Sequence, residues 1–131
     1  MCGSLKHEEQ ASKIGTSVRV EYSHSKVQKN AIWAGFAKKE KLDWWKNNAA
    51  AKPVTVFVDS FIEGTIECRV PSRCFFGIVL DKDVVVQGRV IGHKGSVKIL
   101  TRDAVTPFEK KLHPRWPLSP QANQPGFQTW V

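Results

Sequence analysis

Val54-Thr55-Val56-Phe57-Val58 is a dense β-branched run of the kind found in buried strands. It continues into Asp59-Ser60-Phe61-Ile62-Glu63-Gly64, which sets a carboxylate, Glu63, at the end of a hydrophobic strand. Outward from this run the chain reads as more strands. Ser17 to Ser23 alternates polar and apolar residues. Ala31 to Phe36 reads as a short strand. Thr65 to Val70 and Cys74 to Leu80 flank Pro71-Ser72-Arg73, which predicts a hairpin. Val84 to Ile91 and Ser96 to Thr101 flank Gly92-His93-Lys94-Gly95, which predicts a second.

Two helices are expected among the strands. Lys39 to Ala51 sets Leu42, Trp45 and Ala49 on one face, with Pro53 ending the helix. Thr106-Pro107-Phe108-Glu109 combines an N-cap, a proline at the first helical position and a capping-box glutamate, so a short helix runs to Leu112 and stops before Pro114. Ser119 to Gly126 reads as a loop. The last five residues read as a tail or edge strand, and Thr129-Trp130-Val131 also matches the carboxyl-terminal pattern that PDZ domains capture. The expected fold class is α+β: a strand-rich single domain with a mixed or antiparallel barrel-like sheet and two short helices.

The length, 131 residues, suits one domain with its own core. No apolar run approaches the roughly 20 residues of a membrane span. Charges within Met1 to Gln10 argue against a signal peptide, so a cytoplasmic or nucleoid-associated, non-secreted protein is expected. Lys plus Arg exceeds Asp plus Glu by 20 to 12, and the resulting +8 favours a polyanion, with nucleic acid ahead of an acidic membrane surface. Aromatic faces stack on bases, so the five Trp add weight to nucleic acid although most are expected in the core. Cys68 and Cys74 bracket Arg69 to Arg73 across a turn. They are near enough to pair, but a reducing compartment keeps them as thiols. Without a C-x-x-C no zinc site is expected, and no cofactor.

Cys2 is different. Once Met1 is removed, its α-amine (pKa about 7.7–8.0) and thiol (about 8.5) stand on adjacent carbons, both partly deprotonated near neutrality. Such a pair suits aldehydes: the amine forms an imine and the thiol closes a five-membered ring, helped by its high effective molarity. Glu63, partly buried at a strand end, suits proton transfer. His113 lies between a helix end and Pro114, and Asn48 lies at a helix end, where dipole contact and capping are the ordinary roles.

Taken in order, Met1-Cys2-Gly3, Trp33-Ala34-Gly35-Phe36, Asn48-Ala49-Ala50, Asp59 to Gly64, Ile99 to Ala104 and His113-Pro114-Arg115-Trp116-Pro117 resemble the motifs of the SOS response-associated peptidase family. The resemblance spans residues 1 to about 118, leaving 119–131 as a tail or edge strand. It implies a sensor that crosslinks its N-terminal cysteine to the ring-opened sugar of an abasic site in single-stranded DNA, with related lyase and autopeptidase chemistry. Carried over by position, Cys2 is the nucleophile and Glu63 the acid/base for ring opening. His113 orients and protonates the sugar oxygen, and Asn48 positions Cys2 or the sugar. Arg115 is the first candidate for a phosphate contact, with Trp33, Arg69 and Arg73 as further DNA contacts. The expected partner is single-stranded DNA with abasic sites, met by a monomer away from any membrane.

The chain departs from that pattern in several places. Ser4 and Ala50 stand where the family carries arginines, Gly64 replaces the Trp after the glutamate, and Trp116 replaces a Met. The chain is also shorter than usual members. The reactive core therefore matches better than the DNA-gripping surface. Two alternatives stand beside this reading. One is a non-catalytic basic module for single-stranded nucleic acid. The other is an N-terminal-nucleophile amidohydrolase, since Met-Cys-Gly also opens glutamine amidotransferases.

Overall fold

The computed structural model describes residues 3–120. The chain opens with an antiparallel pair, β1 (Ser4–His7) and β2 (Gln10–Lys13), then forms β3 (Ser17–Tyr22) and β4 (Gln28–Lys38). A 3-10 turn at Lys39–Lys41 leads into α1 (Leu42–Ala49). Strands β5 (Lys52–Phe57), β6 (Ser60–Glu63), β7 (Ile66–Arg69) and β8 (Cys74–Val79) follow, then β9 (Val84–Val86), β10 (Arg89–Gly92) and β11 (Val97–Asp103). Last come α2 (Pro107–Leu112) and β12 (Arg115–Pro117). The result is a strand-rich α+β domain with two short helices. No described helix is long and apolar enough to cross a membrane.

One sheet runs β12-β11-β4-β3-β5-β8, and β11 also pairs with β8, so the pairings return to β11. Within it β11–β4 is parallel and the other ladders are antiparallel. The β8–β11 approach needs a glycine: a Cβ on Gly77 would lie 2.9 Å from the Lys98 carbonyl oxygen. Period-two alternation explains what fills the interior. Val18, Val20, Ala31, Trp33, Val54, Val56, Phe75, Val97 and Ile99 share one buried cluster. Each fully buried Val, Ile or Phe contributes roughly 1.5–3 kcal/mol. A four-stranded sheet, β2-β1-β6-β7, adds Leu5 and Phe61 to the same cluster.

The helical face of Leu42, Trp45 and Ala49 packs on a second cluster with Ala37, Ile78, Leu80 and Leu100. Lys98 runs beneath this helix, 8% exposed. Its Nζ donates to the Ala34 carbonyl (3.0 Å) and sits 5.3 Å from the Trp45 ring centre, and burial pushes its pKa down. Pro53 does not end α1. Ala50 does, in a left-handed conformation at φ 49°, and Pro53 lies inside β5.

Both predicted hairpins are re-paired. β7 turns back on β6 through Gly64-Thr65, while β8 pairs with β5 and β11, so Pro71-Ser72-Arg73 carries the chain from one sheet to the other. Likewise β9 pairs with β10 across Gln87-Gly88, whose φ values of 51° and 78° suit a tight primed turn. Apolar runs mark where strands lie along the chain. Partner choice depends on which buried face each strand must cover, and that is non-local.

At α2 the cap forms as expected, with Thr106 Oγ1 accepting from the Glu109 N–H (3.1 Å). The Glu109 carboxylate accepts from the Val105 N–H (3.0 Å), one residue before the N-cap, and takes both arms of Arg102 at 2.8 and 3.0 Å.

Candidate functional site

The chain start is built onto the strand that carries Glu63. Ser4 pairs with Ile62 and Leu5 with Phe61. Gly3 is buried against this ladder. A Cβ there would collide with the Phe61 ring and come within 2.9 Å of the Ile62 carbonyl oxygen. Glycine is therefore required next to Cys2 for the chain start to lie down on β6. Glu63 follows Phe61 by two residues, on the same face of β6. Its Oε2 is buried and has no hydrogen-bond partner, which is costly for a carboxylate unless something else uses it. Cys2 itself lies outside the described residues, and so do the tail and the carboxyl-terminal pattern expected within 121–131.

Two other expected site residues lie on other elements. Asn48, in the last turn of α1, donates from Nδ2 to the Trp44 carbonyl (2.8 Å) and is exposed. His113 is the C-cap of α2. Its Nδ1 accepts from the Arg115 N–H (3.0 Å), which leaves the proton of the neutral ring on Nε2. Among the described contacts none joins Asn48, Glu63 and His113 directly. β6 and β12 do meet, through Phe61 and Trp116, whose rings are edge to face at 5.5 Å.

Of the four expected DNA contacts, two are committed to the fold. Trp33 is 0% exposed. Its Nε1 donates to the Gly35 carbonyl (2.9 Å) and its ring meets Phe36 edge-on, so no face is open to a base. Arg115 is spent as well. Its guanidinium donates to both Glu40 carboxylate oxygens (3.0 and 2.9 Å), to Asp103 (2.8 Å) and to the Thr101 carbonyl (2.8 Å), and Nε reaches the Thr101 hydroxyl (3.3 Å). All five donors are used, so it ties β12 to β11 and to the Lys39–Lys41 turn. A phosphate would have to displace carboxylates. In return, the hydrogen bond from Arg115 holds the Glu40 carboxyl down at about 2.

Arg69 and Arg73 behave differently. Both are exposed, neither has an ion-pair partner among the described residues, and they line one cleft of about 470 Å³ together with His7, Phe57, Asp59 and Cys74. His7 stacks on Phe57 at 6.1 Å, and its Nδ1 is 3.7 Å from Asp59 Oδ2, beyond hydrogen-bond reach. Asp59 Oδ2 instead accepts the Glu8 N–H (2.8 Å). The thiols here are not activated. Burial pushes Cys68 up, with the charge of Glu63 adding to it, and burial pushes Cys74 up against an opposing hydrogen bond with Ser72. Both cysteines are free. Among the described residues no group of three His, Cys, Asp or Glu could hold a metal ion.

His7 carried no local signal in the sequence, and Asp59 entered only as the start of the Asp59 to Gly64 motif: the two are brought together by β1 and by the loop entering β6. No family model matches the chain, and no curated protein or solved structure matches it.

Proposed function

We propose that this chain traps abasic sites in single-stranded DNA covalently through Cys2. One observation carries the reading: an unpartnered, buried Glu63 oxygen on the strand against which the residue following Cys2 is packed. With Met1 removed, the Cys2 amine adds to the aldehyde of the ring-opened sugar and the carbinolamine loses one water to give an imine. The thiol then adds to the imine carbon, and its proton ends on the nitrogen. One water leaves overall, and the product is a thiazolidine. Glu63 moves protons in ring opening and dehydration, and His113 assists at the sugar oxygen. The ring of pairings from β11 through β4, β3, β5 and β8 serves as a small closed barrel that supports this edge.

The test is a crosslinking reaction between mature protein and single-stranded DNA carrying one abasic site. The expected product survives boiling in detergent. Cys2→Ala abolishes it, Glu63→Ala slows it by about 10²–10⁴-fold, and Cys68→Ala or Cys74→Ala leaves it unchanged, because neither thiol has an amine on the adjacent carbon. Equal crosslinking by wild type and Cys2→Ala sinks the mechanism, and a mass showing Met1 retained removes the required amine. The non-catalytic binding module is the second reading, favoured by Asn48 being turned back onto its own helix. It predicts the same DNA affinity for Cys2→Ala and no stable product from either protein.

A further inference from the structure

A second opening lies beside the Arg69–Arg73 cleft. It is a groove of about 230 Å³ between β7 and the α2–β12 segment, lined by Cys68, Phe75, Phe108 and Trp116 among others. Arg69, Val70 and Pro71 line both openings, so the two lie on either side of one ridge. The groove is aromatic. Phe108 is 53% exposed although it is a large apolar side chain on a short helix, and it meets Trp116 at 6.5 Å. Trp116 in turn meets Phe61. The cations in and beside the groove differ. Arg102 is locked bidentately onto Glu109, whereas Arg69 and Arg73 are free of ion pairs among the described residues.

We infer that this groove receives one unstacked nucleobase of a single strand, with Arg69 and Arg73 taking the phosphates that follow it across the ridge. This rests on the nucleic-acid reading above and specifies how the strand is held. Three arguments support it. The groove is smaller than the roughly 300–1,000 Å³ of drug-sized sites, so it suits one planar ring. Single-strand sites combine aromatic platforms with a cationic track, and these residues supply both in two adjacent openings that share Arg69. Finally, Cys68 lines the groove and feels the charge of Glu63, and Phe61 sits two residues from Glu63 on the same face. A base held here therefore lies near the carboxylate proposed to serve the reacting sugar.

The experiment uses the full chain and a short oligothymidylate that has no abasic site, so covalent chemistry plays no part. Affinity is followed by quenching of tryptophan fluorescence and by anisotropy of a labelled strand. Phe108→Ala is expected to weaken binding by about 5- to 150-fold, the range for losing one stacked base. Phe108→Leu, which keeps apolar bulk without a π face, is expected to fall into the same range. Arg69→Ala with Arg73→Ala is expected to lower the slope of log affinity against log salt by about 0.7 for each phosphate that the two arginines neutralise. Arg89→Ala, which removes an exposed arginine on β10, is expected to change nothing. The inference is overturned if Phe108→Leu binds like wild type, or if Arg89→Ala costs as much as the paired arginine change. It is also overturned if oligothymidylate fails to bind while Cys2-dependent crosslinking persists. Loss of crosslinking with groove-dependent binding intact sinks the covalent reading and leaves this one standing.

Discussion

Trp33 and Arg115 on one side, and Arg69 and Arg73 on the other, were all candidates for holding DNA, and the fold treats the two pairs oppositely. Trp33 and Arg115 sit in the sheet whose pairings return on themselves. There, every polar atom they present is matched by a neighbour: the Gly35 carbonyl for the indole, and Glu40, Asp103 and Thr101 for the guanidinium. Arg69 and Arg73 sit where the chain crosses from one sheet to the other, and no described carboxylate reaches them. Whether an arginine is available is therefore set by where the acidic residues fall in space. The same reasoning separates the two tryptophans: Trp33 fills the interior, while Trp116 is half-buried at the rim of a groove.

The largest test of that contrast is Trp33→Ala. Emptying so large a buried site should cost about 3–5 kcal/mol in urea unfolding. A change small enough to be lost in the error would mean that the ring is not core. Next is Arg115→Met. Removing its hydrogen bonds to charged groups should cost about 2 kcal/mol of stability, since the guanidinium is largely buried while its carboxylate partners stay wet. The salt dependence of DNA binding by the folded variant should be unaltered, and a shallower slope would make Arg115 a phosphate contact after all. Substituting Arg69 and Arg73 with alanine should do the reverse, leaving stability within about 0.5 kcal/mol of wild type while affinity becomes less salt-sensitive.

The smallest effect concerns pH. The hydrogen bond from Arg115 lowers the Glu40 pKa from 4.5 to about 2. A folded value below the unfolded one gives stability that is fully present above about pH 4.5 and is lost as pH falls toward 2. Wild type should therefore lose stability across that window more steeply than Arg115→Met. Parallel acid-unfolding curves for the two proteins would show that this contact carries no linkage. Glu109, lowered by the hydrogen bonds from Arg102, contributes in the same direction in both proteins.

Several elements were legible from residues alone because their causes are local. The β-branched run became β5, and the alternation at Ser17 became β3. Leu42, Trp45 and Ala49 share a buried helix face, and Thr106, Pro107 and Glu109 start α2. The short strands β1, β2 and β12 carried no such signal. They hold together by pairing, and a four-residue strand such as Gln10–Lys13 has no apolar face to announce it.

Composition, charge, the presence of Cys2-Gly3 and a glutamate after a hydrophobic strand are properties of the chain as written, and they suffice to raise an aldehyde-trapping chemistry and a polyanionic partner. Partnership is a property of space. The pairing of β11 with β8, the crossing at Pro71-Ser72-Arg73, the seat of Gly3 on Phe61 and the split between engaged and free arginines all join residues tens of positions apart. Local propensity sets which segments extend or coil. Burial of shared apolar faces and the matching of buried polar atoms set which segments meet, and both are defined only once the chain has folded.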